Sequence, residues 1–265
     1  MKHPSSDEWQ AELTLATQAA RAAGELLAEQ FRKPHQIRYK GAANLVTEMD
    51  QQAEELIRDL LIRARPDVPI LGEEGGGQRA QAPLRWVVDP LDGTTNYAHG
   101  YPFFAVSIAL VQAQEVVVGV VYNPVLDELF AARRRGGATL NGQPIQVSQT
   151  EELGRSLLAS GFPYDAWTSP RDNGAEWHRF LKRVVSLRSD GAAALDLCHV
   201  AAGRIDGYWE LVLEPWDMAA GALIVEEAGG RVTQVDGAPF RLDRPSVLAS
   251  NGRLHEAMVA VLAGE

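Results

Sequence analysis

Apolar residues recur at steps of three and four near the start of the chain: Trp9, Leu13, Ala16, Ala20, Ala23, Leu27 and Phe31. That period lays them along one face of a long amphipathic helix, with Ser5, Ser6 or Asp7 available as its N-cap. A second stripe, Ala53, Leu56, Ile57, Leu60, Leu61 and Ala64, predicts a helix that begins near Thr47 and stops before Pro66. Its opening "TEMD" has the form of a capping box, with Asp in place of the usual Glu or Gln. The period then changes. "VPIL" (68–71) and "RWVV" (85–88) are short apolar runs, each followed at once by acids. "FFAVSIALV" (103–111), "EVVVGVVY" (115–122) and "ELFAARR" (128–134) predict strands, and Asn141-Gly142 predicts a hairpin turn. Past residue 145 the pattern alternates. Strands are expected at "SLLAS", "VVSLRS", "GYWEL", "GRVTQ" and "SVLAS", and helices through 172–183, 192–202, 216–228 and 252–263. Gly229-Gly230 closes the third of these helices.

This order predicts an α+β region over 1–148, a helix pair followed by an antiparallel sheet, joined to an α/β region over 149–265. The boundary between them is soft and lies near 145–152. "GEEGGGQRAQAP" (72–83) reads as a mobile glycine-rich loop. No apolar run approaches the ~18–20 residues of a membrane span, and "MKHPSSDEWQ" carries no apolar signal core. Cys198 is the only cysteine, which excludes an intramolecular disulfide and suits a reducing cytoplasm.

Charge narrows the chemistry. The chain of 265 residues has 25 Lys plus Arg against 35 Asp plus Glu, a net charge of −10. No bulk field draws it to a phosphate backbone, so nucleic-acid binding is not expected. Any phosphate chemistry then needs a local positive element, a helix N-terminus or a metal.

The acids supply a candidate. Glu73-Glu74 follow "PIL", Asp89 and Asp92 close "WVVDPLD", and Asp217 lies in "EPWDMAAG" where a helix begins. Read singly, Asp92-Gly93 is a turn, Glu73-Glu74 a solvated loop, and Asp217 a first-turn residue favoured by the helix dipole. Read together, they are several carboxylates at strand ends, where burial without a counter-charge is costly. An all-oxygen set suits a hard cation, Mg²⁺ first and Mn²⁺ second, and no Cys/His cluster suggests zinc. Bridging carboxylates could hold two ions ~3.5–4 Å apart. Gly93-Thr94-Thr95-Asn96 then supplies a close backbone approach and N-capping residue types, so a helix start here would aim N–H groups at an anion. No Walker P-loop occurs. "DPLDGTT" differs from the D-x-D-x-T of aspartate-nucleophile phosphatases in its acid spacing.

These residues resemble the inositol monophosphatase family. Its first signature is similar to "WVVDPLDGTTNYAHGYPFFAVSIAL" (86–110) and its second to "PWDMAAGALIVEEAGG" (215–230). "DGAAALDLCHVAAGRIDGYWEL" (190–211), "YKGAANLVTEMDQ" (39–51) and "ILGEEG" (70–75) resemble its connecting and N-terminal motifs, so the likeness covers nearly the whole chain. It implies a layered α/β/α/β/α sandwich, usually a homodimer. It also implies a lithium-sensitive hydrolase of phosphate monoesters using two or three Mg²⁺ ions. By matching position, Glu73, Asp89, the Leu91 carbonyl, Asp92 and Asp217 would bind metal. Thr94 with Glu73 would orient the attacking water, with Asp50 behind them. Gly93, Thr94 and Thr95 would hold the phosphate. Gly191, Ala192, Ala193, Glu210 and Asp217 would line the substrate pocket. Lys40 and Glu74 are further candidates at the site.

The substrate expected first is inositol 1-phosphate. Relatives acting on fructose 1,6-bisphosphate, histidinol phosphate or adenosine 3′,5′-bisphosphate share the same acids. Arg171, Arg179, Lys182, Arg183 and Arg188 are candidate nucleotide contacts. A regulatory protein that binds transcription machinery is the alternative from a different class. Trp86, Trp209, Trp216, Cys198 and His199 read as packing residues, and His99 as the end of a turn. Glu210 would either bond a substrate hydroxyl or edge a strand.

Overall fold

The long N-terminal stripe forms α1 (Gln10–Gln30), burying Ala16, Ala19, Ala20, Ala23, Gly24 and Leu27. Small side chains let this helix approach its neighbours closely, as Gly24 does against the Tyr122 ring. The structure is a computed structural model and describes residues 8–33, 37–39, 45–75 and 82–265. Ser5, Ser6, Asp7, Lys40 and the centre of the glycine-rich loop therefore lie outside the described residues.

A two-stranded ribbon, β1 (Ile37–Tyr39) and β2 (Leu45–Thr47), leads into α2 (Glu48–Ala64). The expected capping box is present: Thr47 accepts from the Met49 amide, and Asp50 accepts from the Thr47 amide at 2.8 Å. The buried face of α2 differs from the apolar stripe. It includes Asp50 and Glu54 beside Met49, Ala53, Ile57 and Leu61, while Ala64 is exposed. Two acids on an inward face are the first structural sign of a site.

Next come β3 (Ile70–Gly72), β4 (Leu84–Asp92), α3 (Thr94–Ala98), β5 (Ala105–Gln112) and β6 (Glu115–Asn123). They are followed by β7 (Glu128–Arg133), β8 (Ala138–Leu140) and β9 (Gln143–Pro144), with Asn141 and Gly142 at positive φ turning the β8–β9 hairpin. Seven strands pair in sequence order, antiparallel except for β3 with β4.

After a 3₁₀ turn (Leu153–Arg155) the chain builds β10 (Leu157–Ser160), α4 (Gly174–Leu181), β11 (Ser186–Arg188), α5 (Ala193–Ala201) and β12 (Gly207–Glu210). It ends with α6 (Pro215–Glu227), β13 (Arg231–Thr233), β14 (Val247–Ser250) and α7 (His255–Ala263). The second sheet has the order β11-β10-β12-β14-β13 and is mixed, parallel across its first three strands.

Three apolar clusters define the layers. One joins α1 and α2 to the outer face of the seven-stranded sheet, through Leu27, Ile57, Trp86 and Val120. A second lies between the sheets, where α5 and α6 contribute Leu197, Val200, Leu223 and Ile224 against Val87, Ala109, Val121 and Val247. A third packs α4 and α7 on the far face through Phe180, Trp209, Leu248 and Met258. The result is an α/β/α/β/α stack. Trp86 and Trp209 are fully buried and Trp216 is partly buried against the middle cluster, in keeping with their reading as packing residues.

Candidate active site

The corner is built where β4 ends. Asp89 pairs with Ser107 and Asp92 with Ala105, so three steps along β4 match two along β5. In a regular strand, residues three apart face opposite sides. The bulge at Pro90-Leu91 reverses this, and both aspartates end on the side of the middle helix layer. A proline within a sheet is tolerated at such a bulge because the ladder is already interrupted there.

Helix N-termini then hold the acids. Asp92 Oδ2 accepts from the Ala194 amide at 2.9 Å, in the first turn of α5. Asp217 Oδ2 accepts from the Glu214 amide at 2.7 Å, completing a capping box at the start of α6. Asp50 occupies the same place in α2, and its Oδ1 lies 2.8 Å from Thr94 Oγ1, which is also 3.0 Å from the Leu91 carbonyl. Each aspartate is fixed through a helix's otherwise unsatisfied amides. The Leu91 amide donates to Asp89 Oδ1 at 2.9 Å.

Electrostatics couple these groups to one another. Burial pushes Asp89 well above the usual carboxylate range, and the charges of Glu73, Asp92 and Asp217 push it further. Burial likewise raises Asp217 well above that range, with Asp92, Glu73 and Glu210 adding to it. Asp92 rises to about 7, burial outweighing its hydrogen bonds from Ala194 and Leu195. Among the described residues, the charges that shift these three aspartates are all acidic. No three of the described acidic, His or Cys side chains close into a ready chelate. What the corner presents is a shared field of buried oxygen donors that a hard divalent cation would relieve. The donor set therefore fits such an ion.

The anion side lies next to it. Gly93, at φ +89°, starts the single turn α3, and a Cβ there would stand 3.0 Å from the Phe103 carbonyl and 3.3 Å from Ala192. Only glycine meets both demands. Asn96 donates to the carbonyls of Phe103 and Asp190, each at 2.7 Å, and so stitches α3 to the segment before α5. Thr94 is buried and Thr95 half-buried. Gly191 is exposed, with Ala192 and Ala193 buried behind it. Glu210 is the last residue of β12, the central strand of its sheet. Its buried carboxylate accepts from Tyr208 Oη and is raised to about 7 by burial. Glu73 and Glu74 are half-buried just past β3.

The structure also places the candidate basic contacts and the residues read as turn or packing. Arg179 and Arg183 donate to the Leu262 and Glu265 carbonyls at the end of α7, and Arg188 to Ser186 and Leu187. Arg171 reaches the Leu211 carbonyl at 3.4 Å. Each of these four arginines has a hydrogen-bond partner within the protein. His99 is an exposed C-cap of α3. Cys198 is buried within α5, and His199 stacks edge-on against Phe103 beside Arg204.

Two residues were not singled out from the sequence. Tyr164 has a half-exposed side chain, yet local burial first, and then Glu73, Asp217, Asp92 and Asp89, raise its phenol. The loop 161–173 thus carries it within the field of those acids. Asp196, one turn into α5, is buried with its Oδ1 lacking a hydrogen-bond partner among the described residues. An aperiodic loop and an Asp inside an apolar helix offered no pattern by which to find either; only the positions of neighbouring elements reveal them.

Comparison with known proteins agrees with this geometry. The sequence profile of the inositol monophosphatase family matches residues 8–264. An inositol-1-monophosphatase of Synechocystis sp. is 47% identical over 262 residues, covering 98% of this chain and 91% of that protein. The structure of inositol monophosphatase from Anabaena (Nostoc) sp. superposes with a TM-score of 0.88 at 43% identity, covering 96% of both chains. A Pseudomonas aeruginosa protein named Nus factor SuhB is 42% identical over 257 residues, covering 94% of this chain and 95% of that one. With its layers, motifs and nearly its full length matched, the chain belongs to the inositol monophosphatase family.

Proposed function

We propose that this protein hydrolyses phosphate monoesters, inositol 1-phosphate foremost, with Mg²⁺ held by Glu73, Asp89, the Leu91 carbonyl, Asp92 and Asp217. The observation that carries the reading is the set of buried acids with no basic neighbour shifting them, placed beside the first turn of α3. Divalent ions bound there would supply Lewis acidity toward water and the ester oxygens, and Mn²⁺ could substitute.

The chain's own groups do the rest. Thr94 Oγ1, aligned by Asp50, accepts one hydrogen of the attacking water, and Glu73 accepts the other. Amides at Gly93, Thr94 and Thr95 meet the phosphoryl oxygens, whose charge they stabilise as it redistributes. Gly191, Ala192 and Ala193 form the wall opposite, and Glu210 bonds a substrate hydroxyl. The working unit is taken to be a cytoplasmic homodimer, and the regions 1–148 and 149–265 each contribute ligands to the one site.

Phosphate release from inositol 1-phosphate, fructose 1,6-bisphosphate, histidinol phosphate and adenosine 3′,5′-bisphosphate, each with and without Mg²⁺, tests this. Inositol 1-phosphate should lead and Asp92→Asn should abolish turnover. Selective hydrolysis of the nucleotide would replace the substrate, and full turnover by Asp92→Asn would end the metal assignment. The likeness to the protein named Nus factor SuhB favours a second, binding role beside catalysis. Such a role would survive Asp92→Asn in a pull-down with transcription proteins.

A further inference from the structure

We propose that Glu54 is a positioning residue that holds Glu73 in register with Thr94. The inference rests on the assignment of those two groups to the attacking water. Glu54 follows Asp50 by one helical turn, so both project from the same face of α2. Asp50 reaches Thr94 Oγ1 at 2.8 Å. Glu54 reaches the other partner's segment, its Oε2 accepting from the Glu74 amide at 2.8 Å. One helix face thus holds both flanks of the site.

The segment that carries Glu73 is shaped around that carboxylate. A Cβ on Gly72 would stand 2.7 Å from three atoms of the Glu54 carboxyl group, and one on Gly75 would collide with it as well. Backbone therefore wraps Glu54 on both sides of Glu73. Sheet pairing offers little beyond this point: the Glu73 amide donates to the Val88 carbonyl at 3.3 Å, and the β3–β4 register ends at Gly72. Past that rung the chain is tied to α2 instead.

Glu54 itself is 2% exposed. Arg58 lies a further turn along, its Nη1 3.7 Å from Glu54 Oε1, and that nitrogen is buried without a hydrogen-bond partner among the described residues. A buried acid with its own cation behind it is an expensive way to fasten a loop. A loop that only had to avoid solvent would not require one. A loop that must present an adjacent carboxylate at a fixed place does.

The test compares Glu54→Ala, Glu54→Gln, Glu73→Gln and the double variant Glu54→Ala/Glu73→Gln. Glu54→Ala should lower kcat by about 10–100-fold, with KM for substrate little changed and a higher Mg²⁺ requirement. In the metal-free protein it should also speed hydrogen exchange at the Glu74 amide. Glu54→Gln retains an acceptor for that amide and should restore most of the rate and the protection. Glu54→Asp, one methylene shorter, carries the same expectation as alanine if the alanine variant does not fold. The double variant should be no slower than Glu73→Gln alone, because Glu54 acts only through Glu73. Normal kcat, metal requirement and Glu74 exchange in Glu54→Ala, with Glu73→Gln inactive, overturns the proposal. An active Glu73→Gln overturns instead the assignment beneath it.

Discussion

Asp89 is held where its charge is least welcome, fully surrounded by protein and facing Glu73, Asp92 and Asp217. Replacing it with Asn keeps the shape and removes one repelling charge. Asp89→Asn should therefore abolish phosphate release while raising the stability of the metal-free protein, by about 1 kcal/mol or more, as strained functional groups commonly do. Thermal melting in EDTA measures it, and a lower melting temperature would mean that the carboxylate is not strained. At this scale the sequence was informative because acids that close apolar runs conflict with burial. Tyr164 showed no such conflict, and its coupling to the acids depends on a loop whose path no period describes.

Among the elements, β4 shows how much a pattern can hide. Its apolar run was plain, but a D-P-L-D spacing in a regular strand would send the two acids to opposite faces. The bulge that unites them is set by pairing with β5. Only Pro90 hinted at an interrupted ladder. The position of α6 is equally a matter of contact. A Cβ on Gly119 in β6 would lie 2.7 Å from the Ala220 carbonyl and 3.1 Å from its Cα, both backbone atoms unable to turn aside. Gly119→Ala should cost about 1–3 kcal/mol in urea unfolding. It should also impair turnover, since α6 would have to lift and Asp217 rides on its first turn. An unaffected midpoint would show that the helix shifts freely. Apolar periodicity could place α6 in the core, because it is buried nearly all round. It could not say which face meets which sheet.

For the whole molecule, the titrating groups divide into two sets. A carboxyl with a raised folded value prefers to hold its proton in the fold. Its stabilising contribution is full below about pH 4 and is lost as pH rises through about 7 for Asp92 and Glu210. Asp89, Asp196 and Asp217 act in the same direction, each raised mainly by burial. His199 and His255 oppose them. Burial first and a nearby arginine second lower each to about 4, so their contribution is present above 6.5 and is lost toward pH 4. The acids outnumber the histidines. In EDTA the protein should melt at a lower temperature at pH 8 than at pH 6, losing about 1.4 kcal/mol per pH unit for each proton involved. Saturating Mg²⁺ should remove most of that loss. A profile in EDTA that is flat or rises from pH 6 to pH 8 would show that the acids already have counter-charges elsewhere in the chain.

Between Gly161 and Asn173 the chain leaves the second sheet and returns to almost the same point. Asn173 is wholly buried there, donating to Ser160 Oγ at 2.7 Å and the Gly161 carbonyl at 2.6 Å while accepting from Trp209 Nε1 at 2.8 Å. A loop tied at its neck is a detachable cassette. On its rim Tyr164 and Trp167 are exposed and can be changed without disturbing the core, whereas Phe162 packs against Trp177. Substitutions at Tyr164 and Trp167 should therefore alter KM across a panel of phosphate esters more than kcat, and an equal fall in kcat for every ester would show that the loop also supports the acid corner.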